Sequence, residues 1–292
     1  MDLHLKIIDQ IKNIPKQRKK NMMGELTILG KGIWSKTYTG ELKCFPGHTV
    51  VVKKIKTGTY ANNEFEALMF LRDKMINNEL PLYYNFLYGV YSNDSYKHFI
   101  LEKADMMLDT VMELTNHPVE WYKQVYQQLA TAIECLENLK VNHGDLWNDN
   151  IMVKNDDSAL KFRLILIDWD SAFGENTQFC KPTVGGGNFN RKHFMLGYDL
   201  NRYFDAVLYS YNSYLEKKDV CIRKLVRKGI ENPEKHEKAL EYDKENIVYP
   251  ERIIQFLKEL ELVAVPIEDV ESDTNLTIMS AKNIIERINN IF

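Results

Sequence analysis

The stretch VNHGDLWNDNIMV, residues 141–153, places His143, Asp145, Asn148, Asp149 and Asn150 within eight positions. Such a cluster can bind a metal, run acid–base chemistry, or form a polar turn between buried segments. Asp168 follows in LILIDWDSA, at the end of an apolar β-branched run. The set is therefore D-x4-N plus a strand-terminal Asp. One Asp can then accept a hydroxyl proton or orient the nucleophile, while an amide and a second Asp coordinate Mg²⁺ over a triphosphate. Zinc is disfavoured, because the company is oxygen-rich and holds no thiolate. A polar turn explains any one of these residues and explains the ordered set poorly.

A phosphate needs partners elsewhere. In LGKGIWSKTYTG, residues 29–40, Gly30 and Gly32 lie in a turn after a strand, and Ser35 stands where a third glycine would complete G-x-G-x-x-G. Glycines there let backbone N–H groups approach phosphate oxygens, although a plain hairpin turn has the same look. In TVVVKKI, strand alternation puts Val51 and Lys53 on one face and Val50, Val52 and Lys54 on the other. Lys53 fits the pattern of a strand lysine that neutralises phosphate charge, with Lys54 the parity alternative. A lysine so placed needs a counter-charge, and the next helix offers Glu64 and Glu66. Glu64 borders the apolar face carrying Phe65, Leu68 and Leu71, so it is the expected partner of Lys53.

The elements that must position these residues follow from periodicity. Leu3, Ile7, Ile8, Ile11 and Ile14 predict a short amphipathic helix before Pro15, packed on the main body. From Glu25 to Ile55, short β-rich runs separated by Gly, Pro and Asn predict an antiparallel sheet. NEFEALMFLRDKM returns to helical spacing, and FLYGVYS and KHFILEK, joined at NDS, predict a further hairpin. Pro118 suits a first helical position, and Tyr122, Tyr126, Leu129, Ile133 and Leu136 form a helical stripe. Leu200, Phe204, Val207 and Tyr211 make another, and the remainder reads as helical and highly charged. The expected class is α+β: a sheet-rich first lobe with one main helix, then a larger, mainly helical lobe.

The bulk properties set limits on partners. The 292 residues carry 45% hydrophobic and 27% charged residues with a formal charge of -3, an ordinary globular balance. That charge gives no global drive toward nucleic acid or anionic membrane, so partners must be argued from local sites. Cys44, Cys135, Cys180 and Cys221 lie far apart and form no CxxC pair, which argues against a zinc site or a disulfide framework. No apolar run approaches the ~18 residues of a membrane span, and the N-terminus does not read as a signal peptide. A cytoplasmic, monomeric protein is the expectation, with a nuclear location left open by the basic run Arg18, Lys19, Lys20.

Taken in order, these motifs resemble the protein-kinase-like fold over residues 25 to about 215. Gly30-x-Gly32 resembles the nucleotide loop, Lys53 the strand lysine and Glu64 its helix partner. HFILEKA resembles the last small-lobe strand entering the hinge. The resemblance implies that Leu101 backs an adenine pocket, that the backbone around Glu102 to Ala104 binds adenine, and that Val51 and Ser35 join the nucleotide contacts. HGDLWNDN resembles the catalytic loop, which gives Asp145 the base or orienting role and Asn150 a metal role. IDWD stands in place of DFG and gives Asp168 a metal role. Asp199, in GYDLNRYF, resembles the helix Asp that braces the loop. The implied organisation is bilobal: an N-terminal helical extension (1–24), a small lobe (25–104) and a large lobe (105–292).

Departures from the pattern bear on the acceptor. Gly144 replaces the Arg that pairs with an activation-loop phosphate in many protein kinases, so activation by that route is not implied. Trp147 stands where Ser/Thr protein kinases place a lysine, and Asp170 where DFG has its Gly. HGDLW is similar to loops of fructosamine-, aminoglycoside- and choline-kinase-like enzymes. TYTGEL, VVVKKIK and YDLNRYF are closer to protein kinases, in a combination that resembles compact kinases of large DNA viruses, for which the compartment would be host cytoplasm. The implied reaction uses ATP and Mg²⁺ to phosphorylate a hydroxyl, with Ser or Thr of a protein preferred. A small hydroxylated acceptor such as an amino sugar, glycated amine or choline is the alternative, and a nucleotide-binding scaffold without turnover is the third reading.

Overall fold

The computed structural model describes residues 1–14, 21–32, 35–114, 117–155, 162–175, 177–179, 194–200, 202–204, 207, 251–261 and 280–291. Contacts divide the α+β chain into two compact units. The first comprises Met1–Asp105, Leu139–Asp145 and Met152–Phe194; the second comprises Met106–Asn138, Leu146–Ile151 and Met195–Phe292.

The first unit is built on a five-stranded antiparallel sheet in the order β1-β2-β3-β5-β4. Its strands are β1 (Thr27–Lys31), β2 (Ser35–Glu41), β3 (Thr49–Lys56), β4 (Leu87–Ser92) and β5 (Tyr96–Glu102). The predicted β4–β5 hairpin forms, and its turn closes on Asn93, whose Oδ1 accepts from the N–H groups of Ser95 and Tyr96 at 3.0 and 2.8 Å. Alternation along β3 buries Val50 and Val52 on one face and presents Val51 and Lys53 on the other.

Helix α1 (Asp2–Lys12) packs against β4, with Ile7, Ile8 and Ile11 buried. The buried stripe runs through His4 rather than the expected Leu3, which is 48% exposed. His4 takes that place because its ring stacks on Phe86 at 4.3 Å while Nδ1 shares a proton with the Tyr88 hydroxyl at 3.0 Å. Burial pushes the His4 imidazole down to about 4, outweighing the pull of Glu102 in the other direction. Close approach of α1 requires Gly89, where a Cβ would lie 2.9 Å from Ile11 Cγ2. Glu102 itself is buried, and its Oε1 accepts from Lys154 at 2.6 Å and Arg163 at 2.7 Å. Burial alone would raise its pKa, but Arg163 and Lys154 together hold it below the usual carboxylate range.

Helix α2 (Thr59–Ile76) buries Leu68, Leu71 and Met75 as its periodicity requires, together with Asn63 and Glu64, whereas the expected Phe65 is only half-buried, its ring centroid 4.8 Å from Lys97 Nζ. The unit is completed by β7 (Val141–Asn142), β8 (Ile151–Asn155), β9 (Phe162–Leu166) and β10 (Phe173–Gly174). The end of β9 is fixed by a backbone exchange: Leu166 N–H donates to Tyr83 O at 2.8 Å, and Asn85 N–H donates to Leu166 O at 3.0 Å.

The second unit contains β6 (Met106–Met107), α3 (Leu108–Leu114), α4 (Val119–Asn138), α5 (Glu251–Glu261) and α6 (Ala281–Ile291). All five stripe residues of α4 are buried, and Tyr126 meets Phe204 and Phe256 with ring centroids 5.7 and 5.5 Å apart. Pro118 directly precedes α4 rather than opening it. Buried Glu137 accepts from the N–H of Gly197 at 2.9 Å and of Ala281 at 3.1 Å, tying the segment before Asp199 to the start of α6. Leu200, Phe204 and Val207 are buried as expected. Tyr211, the loop with Thr183 and glycines 185–187, and the charged stretch 231–246 lie outside the described residues. No helix among the described residues is long and apolar enough to cross a membrane.

One close approach in the first unit decides the path of the polar loop. Gly144 has φ +84°, and a Cβ there would sit 2.1 Å from Ser171 O and 3.2 Å from Phe173 Cδ1. The pairing of β7 with β10 presses the two segments together at this point. The absence of an Arg at this position is therefore steric as well as chemical: no side chain fits. Gly144→Ala is expected to destabilise the chain by about 3 kcal/mol or more, since the left-handed backbone and the carbonyl clash add. Thermal unfolding of the two proteins checks this, and an unchanged midpoint would contradict it.

Candidate active site

Lys53 leaves the central strand β3 toward α2 and is 8% exposed. Its Nζ donates to Glu64 Oε1 at 2.7 Å and to Asp168 Oδ1 at 2.7 Å. The structure thus resolves the parity choice, since Lys54 emerges on the opposite face with Nζ 4.0 Å from the Tyr96 ring centroid. Glu64 is 1% exposed, and its Oε2 has no hydrogen-bond partner. Glu66 lies elsewhere on α2, where its charge acts on Lys97.

Asp168 stands two residues beyond the end of β9 with φ +65°, a left-handed conformation uncommon outside Gly, Asn and Asp. The turn after it is held by buried Trp169, whose Nε1 donates to Leu166 O at 3.2 Å, and by Ala172 N–H donating to Trp169 O at 3.2 Å. His143 lies beneath this turn, fully buried. Its Nε2 meets Ile167 O at 2.8 Å, and its Nδ1 accepts from Asp145 N–H at 3.3 Å. These bonds hold the ring between the Ile167 carbonyl and the Asp145 backbone. His143 is thus an anchor for the Asp145 backbone.

The other expected residues are placed as follows. Gly30 pairs with Thr37 beside a β-bulge, and Gly32 N–H donates to Ser35 O at 2.9 Å, which closes the β1–β2 turn. A Cβ at Gly30 would meet nothing within 4 Å, so the fold itself does not demand glycine there. Val51 pairs with Leu101, and Leu101 and Ala104 are both buried. Glu102 differs from expectation: its backbone N–H already donates to Phe86 O at 2.9 Å, and its side chain is the ion-pair hub described above. Asn150 ends a short 3-10 turn in the second unit, with its N–H on Trp147 O at 3.0 Å. Trp147 is 38% exposed, and the Arg202 guanidinium lies 5.2 Å from its ring centroid. Asp149 is exposed and Asp199 is buried. Asp105 Oδ2 accepts from Asn155 N–H at 2.8 Å.

Two residues that sequence reasoning missed shape the site. Gly144, taken only as a lost Arg, is a close-approach position. Asn63, beside Glu64, is 5% exposed and donates through Nδ2 to the backbone oxygens of Asp170 and Ala172 at 2.8 and 2.9 Å. Asn63 follows Asn62 and precedes Glu64 in a helix with polar residues along its length, so its sequence carries no signal that singles it out. Among the described residues, no group of three or more His, Cys, Asp or Glu converges as a metal cluster.

Electrostatics follow from one ammonium facing more than one carboxylate. Burial alone would lower the pKa of Lys53, but Glu64 and Asp168 outweigh it and keep the ammonium charged. Asp168 is likewise raised by burial but carried below its ordinary value by Lys53. Glu64 is pushed up to about 7, chiefly by burial, with Lys53 opposing and the charges of Asp168 and Asp170 adding. Asp170 is raised by burial and then by Asp168. For Glu64 the folded chain keeps a proton that the unfolded chain loses near pH ~4.5. This contribution to stability is fully present below that pH and is lost as pH rises toward about 7. Relative to Glu64→Gln, the wild-type chain should lose on the order of 2 kcal/mol between pH ~4.5 and ~7.5 in denaturant unfolding. Parallel curves for the two proteins would contradict the assignment.

Comparison with known proteins agrees with this geometry. Residues 24–162 match the family model described as protein tyrosine and serine/threonine kinase. Homeodomain-interacting protein kinase 2 of Mesocricetus auratus is 26% identical over 182 residues, covering 59% of this chain and 15% of that protein. The Mus musculus protein of the same name is 26% identical over 182 residues, 59% of this chain and 14% of that protein. The chain therefore matches only about one seventh of these relatives' length. Residues 24–162, just under half of the chain, are thus similar to that kinase family, and the antiparallel sheet, the strand lysine joined to a helix glutamate and the strand-terminal Asp are consistent with a kinase-like fold.

Proposed function

We propose that this chain is an ATP- and Mg²⁺-dependent phosphotransferase that phosphorylates a hydroxyl, with Ser or Thr of a protein as acceptor. The observation that carries the reading is Lys53 Nζ held at 2.7 Å from both Glu64 and Asp168. An ammonium fixed in this way is a preset positive charge for phosphate oxygens and needs little reorganisation when they arrive. Gly30 is compatible with the same reading, because no internal contact requires glycine there and its bare Cα leaves room beside the strand for a ligand.

The donor chemistry fits a hard divalent cation. Asp168 and Asp170 are carboxylates on one short turn, and their mutual repulsion is the strain a cation would relieve. Asp168 would hold Mg²⁺; Val51, Leu101 and the backbone of residues 103–104 would receive adenine. Bound ATP would supply the transferable phosphoryl group, and Mg²⁺ would offset charge on its oxygens. Asp145 would orient the acceptor hydroxyl and take its proton, its backbone steadied by His143. Gly144 leaves no room for a loop-phosphate-binding Arg, so the reading does not invoke that route of activation.

The test offers labelled ATP and Mg²⁺ with generic protein substrates and, separately, amino sugars and cholines. Label is expected on Ser or Thr of protein, falling by about 100-fold or more in Asp145→Ala. Label confined to small molecules would move the acceptor to that class. ATP binding without turnover on any acceptor would leave a nucleotide-binding scaffold.

A further inference from the structure

We propose that Asn63 is a positioning residue that fastens α2 to the Asp168–Ala172 turn, so that the fold itself assembles Lys53, Glu64 and Asp168 in the unmodified chain. This regulation of the site rests on the phosphotransferase reading; the latch itself is a claim about the fold. Three carboxylates, those of Glu64, Asp168 and Asp170, face the single ammonium of Lys53. Glu64 rides on α2, while the two Asp side chains ride on the turn. Lys53 bridges Glu64 on the helix and Asp168 on the turn, while Asp170 brings a further carboxyl group to the same turn; an uncharged tie joins helix and turn independently of that charge balance.

Asn63 supplies that tie. A carboxamide NH₂ has two hydrogens, and both are spent on carbonyl oxygens of the turn, Asp170 O at 2.8 Å and Ala172 O at 2.9 Å. The two acceptors bracket Ser171, whose own carbonyl lies against Gly144. The turn therefore meets both α2 and the His143–Asp145 loop. Asn63 adjoins Glu64 in sequence, so opening the tie frees the carboxylate that steadies Lys53. The substitution Asn63→Asp would present oxygen to oxygen, and an aliphatic side chain would leave two carbonyls without donors.

Hydrogen–deuterium exchange on the full chain without nucleotide tests the latch whether or not the protein is a kinase. In the wild type, amides of α2 around residues 62–67 and of 169–173 should open together, with rates within about tenfold of each other. In Asn63→Leu both segments should exchange at least about tenfold faster, with β2 and β3 unchanged. In steady-state assays of the same variant, kcat should fall about tenfold or more while KM for ATP moves less than about threefold. Wild-type rates for the two segments that differ by much more than tenfold would overturn the latch, and this holds even if Asn63→Leu does not fold. Unchanged exchange in a folded Asn63→Leu would overturn it equally. Faster exchange in a chain with no wild-type turnover would keep the latch and sink the phosphotransferase reading.

Discussion

The site depends on a single buried ammonium that faces an excess of carboxylate. Lys53 stays charged in a place where burial opposes charge, because Glu64 and Asp168 each lie 2.7 Å away. Removing one partner would leave Lys53 paired with the other, and removing both would leave an uncompensated buried charge, which costs several kcal/mol in comparable settings. Two acids on one base leave a net negative charge in the cluster, and Asp170 adds to it. That excess would suit the cation that the proposed reaction requires. The rest of the first unit holds the cluster closed.

The scaffold does so by pressing backbone against backbone at a few points. Central β3 presents Lys53, and its neighbour β5 pairs Phe99 opposite it. Tyr83, Tyr84 and Asn85 fix the end of β9, from which Asp168 projects. Gly144 lets the Asp145 loop lie on Ser171, and His143 bridges Ile167 and Asp145. On the other side of the unit, α1 covers β4, and Glu102 gathers Lys154 and Arg163. Each contact joins segments distant in sequence, so the geometry around Lys53 is a property of the folded unit.

Much of this was legible in the sequence, because the chemistry depends on residue types in order along elements with clear periods. The parity of β3 selected Lys53 with Lys54 as its rival, and the apolar stripe of α2 placed Glu64 rather than Glu66 against the sheet. Asp168 could be read from the run LILI ending before it. What the sequence hid were contacts made by backbone. Nothing local marks Gly144 as lying 2.1 Å from a carbonyl oxygen once a Cβ is added, because Ser171 is far away in the chain. Asn63 looks like any polar helix residue until the Asp170 and Ala172 carbonyls are seen to point at it. Helix α1 shows the same limit: its period predicted Leu3 in the core, but the aromatic wall of Phe86 and Tyr88 selects His4.

The central claim is that the Lys53–Asp168 pair is a seat for nucleotide phosphate and its metal ion. Calorimetric titration with a non-hydrolysable ATP analogue, with and without Mg²⁺, tests it on the wild type and on Asp168→Asn. Wild-type affinity should rise about tenfold or more when Mg²⁺ is present, and that gain should vanish in the variant. Equal affinities with and without Mg²⁺ in the wild type, or an undiminished Mg²⁺ gain in Asp168→Asn, would contradict it.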